Sequence, residues 1–334
     1  LGGHGIAWHF PTSRDRLAGI ASIPDSVARL VSVRRIWSRA PHNAFTDLIR
    51  FNNRWYCALR ESKNHAGDIG RVRVIRSADG TDWTSAALFS ERGVDLRDPK
   101  LSVAPGRRLM LLMGGSCYTE GKYTGRQPRV AFSLDGRAWD APRSILSEGD
   151  WLWRVTWRGS QAYGVTYRVM DKDTWTVTLV TSGDGLSYRE VCRLRVPGKP
   201  NEATVRFRRN GEAVALVRRE GGNRSAWIGS SRPPYAAWQW KAARHRVGGP
   251  NFLILPSGCM WAAGRGWLPE GPRTLVARMD HWRYVPALEL PSAGDCSYPG
   301  LVWHRGLLWV SYYSSHEGKA SIYLARIRLR EEER

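Results

Sequence analysis

Ser77-Ala78-Asp79-Gly80-Thr81-Asp82-Trp83 returns as Ser133-Leu134-Asp135-Gly136-Arg137-Ala138-Trp139, and again as Ser182-Gly183-Asp184-Gly185-Leu186-Ser187-Tyr188. A degenerate copy, Ser230-Ser231-Arg232-Pro233-Pro234-Tyr235, follows at a similar interval of roughly fifty residues. Each complete copy reads S-x-D-G-x-x-aromatic. Such a segment is a hairpin turn: the aspartate accepts from its own backbone, the glycine supplies the positive φ, and the aromatic ring packs back onto the strands. Three copies at near-constant spacing mark a repeat protein.

Around each turn the pattern is β. Ala44–Phe51, Trp55–Leu59, Val72–Arg76 and Trp83–Phe89 are short runs rich in aromatic and branched residues. The same four-run order starts again near Pro99, Leu152, Glu202, Phe252 and Tyr298. Six units of four strands predict an all-β chain, a six-bladed β-propeller of four-stranded antiparallel blades. The last unit runs out after its third strand, and Val31–Ile36 is the segment available to supply the fourth. Residues 41–330 are therefore expected to form one propeller, and residues 1–40 an N-terminal segment, part of which closes the last blade.

The composition fits a globular chain of 334 residues, with 42% hydrophobic and 24% charged residues. No apolar run is long enough to span a membrane as a helix. Lys and Arg number 51 against 30 Asp and Glu, a formal charge of +21. That excess is spread along the chain with no nucleic-acid-binding arm, so no specific nucleic-acid partner is expected. The five cysteines are isolated and odd in number, which argues against a zinc site or a disulfide framework, and no metal or cofactor is expected. The first residues carry no basic-then-apolar leader. Secretion or a periplasmic location follows if one was removed, a cytoplasmic location otherwise; the oligomeric state is left open.

In a blade, the start of the first strand and the end of the second lie on one face. First-strand starts contribute His42-Asn43, Arg97-Asp98, Arg154, Asn201-Glu202, Asn251 and Asp295-Cys296-Ser297-Tyr298. Second-strand ends contribute Arg60-Glu61, Arg168, Arg218-Arg219, Arg265 and Tyr312-Tyr313. One channel mouth thus gathers arginines, carboxylates and tyrosines. Arginines clustered without compensation await an anion. The competing reading is a set of structural ties such as Arg97-Asp98 and Arg60-Glu61.

These residues carry a resemblance. The S-x-D-G-x-x-W turns resemble the Asp boxes of the sialidase (neuraminidase) superfamily. Asn201-Glu202-Ala203-Thr204, followed by the strand closing at Arg218, is similar to that family's fourth blade. Ser297-Tyr298-Pro299-Gly300-Leu301 resembles the segment of its nucleophilic tyrosine. Asp68, in the loop His65-Ala66-Gly67-Asp68-Ile69-Gly70, sits where the family's acid/base lies. The resemblance spans roughly residues 40 to 330. It implies a retaining exo-glycosidase acting on a terminal acidic sugar, sialic acid or a related nonulosonic acid. Tyr298 is then the nucleophile, Glu202 its base and Asp68 the acid/base. Arg218 matches one member of the family's arginine triad. Arg273 matches another, with Arg265 competing for the role. His42-Asn43-Ala44-Phe45 stands where the first triad arginine belongs, and Arg60 or Arg97 would have to reach in. Glu61, Asp98, His42, Asn43 and His65 complete the expected substrate-binding set.

The residue types suit that chemistry. A phenol beside a substrate carboxylate meets less repulsion than a carboxylate nucleophile would, but it needs a neighbouring base. Three rival readings remain. One is a propeller glycosidase or lyase-like enzyme on another sugar, through Asp68, Asp98, Glu61 or Glu202. A second is a non-catalytic glycan-binding or scaffold propeller. The third is polyanion binding through the +21 surface, with steep salt dependence and no need for the central channel.

Overall fold

A computed structural model of the chain describes residues 27–330. Six antiparallel sheets make up the described residues, with no helix among them. The first strands of the six sheets are His42–Phe51, Val94–Ala104, Asp150–Arg158, Pro200–Phe207, Gly248–Ile254 and Cys296–His304. Each touches the first strand of the next blade, and the sixth touches the first, so the ring is closed. This is the six-bladed β-propeller expected from the repeat. Blade 6 takes Ala28–Trp37 as its outermost strand, paired antiparallel with Ser321–Leu329. Residues 1–26 lie outside the described residues. Blade 2 carries one addition, a short strand Lys122–Arg126 paired to the extended second strand Arg108–Thr119.

The recurrent turns explain how blades adhere. Ser77 Oγ accepts from Gly80 N (2.9 Å) and Asp79 Oδ1 from Thr81 N (2.8 Å). The copies at Ser133 and Ser182 repeat this pattern. The positive φ of the turn glycine lets it lie against an aromatic ring of the preceding blade. A Cβ at Gly136 (φ 72°) would meet the Tyr56 ring at 2.4 Å, and one at Gly80 (φ 88°) the Trp309 ring at 2.7 Å. The turn motif is thus also a seam between blades.

A second regularity positions the site. All six first strands lose register with their partners in their opening turn, at Ala44/Asp47, Arg97/Lys100, Leu152/Val155, Pro200/Ala203, Gly248/Asn251 and Ser297/Gly300. A bulge bends a strand and re-aims side chains. Phe45 (φ 57°), Asp98 (φ 48°), Gly249 (φ 60°) and Tyr298 (φ 53°) hold left-handed backbone inside these breaks. Non-glycine residues there are strained, and strain of this kind gathers at functional sites.

Candidate active site

Tyr298, on the first strand of blade 6, is almost wholly buried. Its hydroxyl donates to Glu202 Oε1 at 2.8 Å, across from blade 4. Arg218 Nη1, on the second strand of blade 4, donates both to that hydroxyl (2.8 Å) and to Glu202 Oε1 (2.7 Å). The other carboxylate oxygen, Oε2, accepts from the backbone N–H of Gly249 at 2.8 Å. Gly249 is needed for space as well: a Cβ there would lie 2.8 Å from Tyr298 Cγ and 3.0 Å from its Cα. Phe45 (5.1 Å between centroids), Trp153 (5.7 Å) and Tyr313 (6.1 Å) enclose the phenol ring, and the Arg265 guanidinium lies 5.2 Å from its centroid.

This setting polarises the pair. Burial, reinforced by the Glu202 carboxylate, pushes the Tyr298 phenol well above its ordinary value; Arg218 and Arg265 oppose the shift. Burial also works to raise Glu202, but the charge and hydrogen bonds of Arg218, with those of Tyr298 and Gly249, hold it below the usual range. Glu202 is therefore an ionised acceptor and Tyr298 a protonated donor until a reaction moves the proton.

The arginines of the mouth are already compensated. Arg218 also binds Glu220, which binds Arg246 at 3.1 Å. Arg265 donates to the Cys296 carbonyl (2.9 Å), to Asp295 Oδ1 (3.2 Å) and to the Tyr313 hydroxyl (2.8 Å). Arg97 lies between Asp95 (3.4 Å) and Asp98 (3.6 Å), over the Phe45 ring. Asp98 Oδ1 is enclosed with no hydrogen-bond partner, and burial pushes this carboxyl above its ordinary range against the pull of Arg97.

Several sequence-nominated residues turn out to tie the scaffold. Arg60 is fully buried, bound to Asp95 Oδ1 (2.7 Å), Ser62 Oγ and the carbonyls of Asn64 and Asp68. Glu61 points to the opposite side of its strand, accepting from Trp37 Nε1 (2.8 Å) and forming an ion pair with Arg73, whose Nε lies 2.8 Å away. Asn43 stitches Ala40 to Ala320. Arg273 is paired with Glu289 (3.0 Å) among the outer strands of blade 5. Asp68 faces its own loop: its carboxylate accepts from Lys63 N (2.7 Å) and Asn64 N (3.2 Å) and lies 3.6 Å from Arg60.

His42 and His65 converge instead on Asp295. His42 Nε2 is 2.8 Å and His65 Nδ1 is 2.7 Å from Asp295 Oδ2, while Tyr313 donates to Oδ1 at 2.7 Å. Burial works to raise Asp295 but is outweighed by hydrogen bonds from His42, His65 and Tyr313, which hold it far below the usual range. His42, His65 and Asp295 have the donor types of a metal site, with ligand atoms within 4.8 Å of one another. The Arg265 cation on the same carboxylate suits protons better than a divalent ion there. Asp295, Tyr313, Phe45 and Gly249 are the residues sequence reasoning missed as site members. Asp295 and Tyr313 were visible as strand ends, but their partners were not.

No family model matches the chain, and no curated protein matches it. Solved structures do. A protein of unknown function from Dyadobacter fermentans superposes with a TM-score of 0.80 at 19% identity, over 91% of this chain and 100% of that one. A Trypanosoma rangeli sialidase in complex with the inhibitor DANA gives 0.69 at 12% identity, over 89% of this chain; the match spans 60% of the sialidase. An alpha-L-arabinofuranosidase from Fusarium graminearum gives 0.69 at 14% identity, over 90% of this chain and 98% of that one. At these identities the likeness is one of fold.

Proposed function

We propose that the chain is a retaining glycoside hydrolase that attacks the anomeric carbon of a terminal sugar with the Tyr298 hydroxyl. One observation carries the reading: a buried tyrosine donates to a buried, ionised glutamate at 2.8 Å while one arginine nitrogen holds both. A structural tyrosine needs one acceptor; here a strained backbone and a missing Cβ at Gly249 are added to bring phenol and carboxylate together. As the phenol attacks, its proton passes to Glu202, and Arg218 steadies the charge shared between the two oxygens. Water then releases the sugar from Tyr298 and Glu202 returns the proton. Solved neighbours that are named as a sialidase and an arabinofuranosidase agree with a glycosidase on this scaffold.

On the sugar, Arg218 and Arg265 beside Tyr298 support the acidic, sialic-acid-like substrate. A second reading, a neutral sugar, is favoured by one observation: Arg218, Arg265 and Arg97 each already contact at least one carboxylate, so no anion is required to balance the mouth. The test is hydrolysis of a panel of aryl glycosides, including sialic acid, its deaminated relative, uronic and neutral sugars, by wild type and Tyr298→Phe. Turnover lost by at least ~10²-fold in the variant supports the nucleophile. Equal turnover by the two proteins refutes it, and the sugar that is cleaved decides between the substrates.

A further inference from the structure

Resting on that reading, we propose that His65, oriented by Asp295, is the acid/base that protonates the departing oxygen and then activates water. Asp68 is the carboxylate of this loop, but its two oxygens hold Lys63 N and Asn64 N. His65 is the member of the loop turned toward the site. Its ring lies edge-on to Phe45 at 5.2 Å, and the Tyr298 ring flanks the same Phe45 at 5.1 Å.

The hydrogen bonds decide which nitrogen does the work. Asp295 is ionised, so both imidazole nitrogens that touch its Oδ2 must carry hydrogens: Nε2 of His42 and Nδ1 of His65. His42 Nδ1 is enclosed with no partner, so a second proton there would be buried without an acceptor. His65 differs. Its side chain is 46% exposed, and its Nε2 makes no hydrogen bond among the described residues. A second proton is therefore accommodated on His65 Nε2 and not on His42. A carboxylate that fixes Nδ1–H and leaves Nε2 free is the arrangement of a histidine proton shuttle. The groups around it are Asp295 with Arg265 and Tyr313 behind it, His42 from blade 1, and Arg60, whose Nη1 reaches the His65 carbonyl at 3.4 Å, with Asp68 in the loop.

The step balances. Tyr298 O bonds to the anomeric carbon as its proton moves to Glu202. The bond to the leaving oxygen breaks, its electron pair stays on that oxygen, and the Nε2 proton of His65 neutralises it. Neutral His65 then takes a proton from water, whose oxygen displaces Tyr298, and Glu202 returns its proton to the phenol.

The experiment compares wild type, His65→Ala, Asp295→Asn, Asp68→Asn and Tyr298→Phe on the phenyl and 2,4-dinitrophenyl glycosides of the sugar cleaved in the panel. Loss of a general acid costs about 10²-fold or more with the poor leaving group and little with the activated one. The expected result is that pattern for His65→Ala, with the alkaline limb of kcat/KM removed, and a weaker version for Asp295→Asn, the positioning residue. Asp68→Asn should lower both substrates by one common factor. Equal loss on both glycosides in His65→Ala, or the leaving-group pattern in Asp68→Asn, overturns the assignment. If Tyr298→Phe is still inactive, the proposed function survives that outcome. Failure of wild type to cleave any glycoside overturns both.

Discussion

Replacing Gly249 by alanine tests the geometry around Tyr298 without presuming a substrate. Two costs are added. The first is conformational: Gly249 has φ 60°, where a Cβ costs about 1 kcal/mol relative to glycine. The second is steric. The new Cβ would stand 2.8 Å from Tyr298 Cγ and 3.0 Å from Tyr298 Cα, and ordinary contact begins near 3.4 Å. The ring cannot swing away freely, because Phe45, Trp153 and Tyr313 surround it and its hydroxyl is tied to Glu202 and Arg218. Overpacking of this kind costs about 1–3 kcal/mol, so the sum is roughly 2–4 kcal/mol. Gly306→Ala isolates the first cost, since Gly306 has φ 71° and nothing within 4 Å of its Cβ position. Urea unfolding followed by tryptophan fluorescence measures both variants. Gly249→Ala should lose roughly 1–3 kcal/mol more than Gly306→Ala. Equal losses would mean that Tyr298 is not held against Gly249, and the account of the site would fall with it.

Tyr298→Phe should cost little stability, about 1 kcal/mol, because Glu202 keeps Arg218 and Gly249 as partners; a loss above ~3 kcal/mol in the same urea assay would make the tyrosine a structural keystone instead. Arg218→Met should be far more damaging, on the order of 3–5 kcal/mol, since it strands the buried carboxylate of Glu202, and a near-neutral effect would refute the pairing. Lys100, buried beside Trp153, is pulled down by desolvation to about 8. Its folded value lies below the ~10.4 of the unfolded chain, so its contribution to stability rises as pH climbs from 8 toward 10. Wild type should therefore gain on the order of 2 kcal/mol relative to Lys100→Met between pH 7 and pH 9.5, and parallel stability curves for the two proteins would contradict this.

The blades were legible because their turns demand particular residue types: a Ser–Asp pair to bind backbone N–H groups and a glycine at positive φ. Glu202 and Arg218 were legible together because antiparallel pairing brings the start of one strand beside the end of the next. What stayed hidden was the choice of face. Arg60 and Glu61 are neighbours on one strand and point to opposite sides, one toward Asp95 and the other toward Trp37. The bulges hide the phase further, since Phe45, Asp98 and Tyr298 take backbone angles that their residue types do not announce. The expectation that the arginines await an anion left out Glu220, two positions after Arg218, and Asp295, 30 positions from Arg265, because spacing alone does not show which way a carboxylate points. His65 and Asp295 are separated by 230 positions, and only ring closure makes them adjacent.

Blade 6 joins Ala28–Leu30 to Ile327–Leu329, the widest sequence separation of any strand pair among the described residues. Contacts this remote are the slowest for a chain to find, and their entropy of closure must be met before they return any stability. The catalytic proposal draws on blades 1, 4, 5 and 6 at once, so during biosynthesis the pocket comes into being late, and all together. A nascent chain could hold five finished blades and still be chemically inert. Activity would then appear as a single event when the last sheet zips shut, which makes the onset of turnover a natural clock for the final folding step.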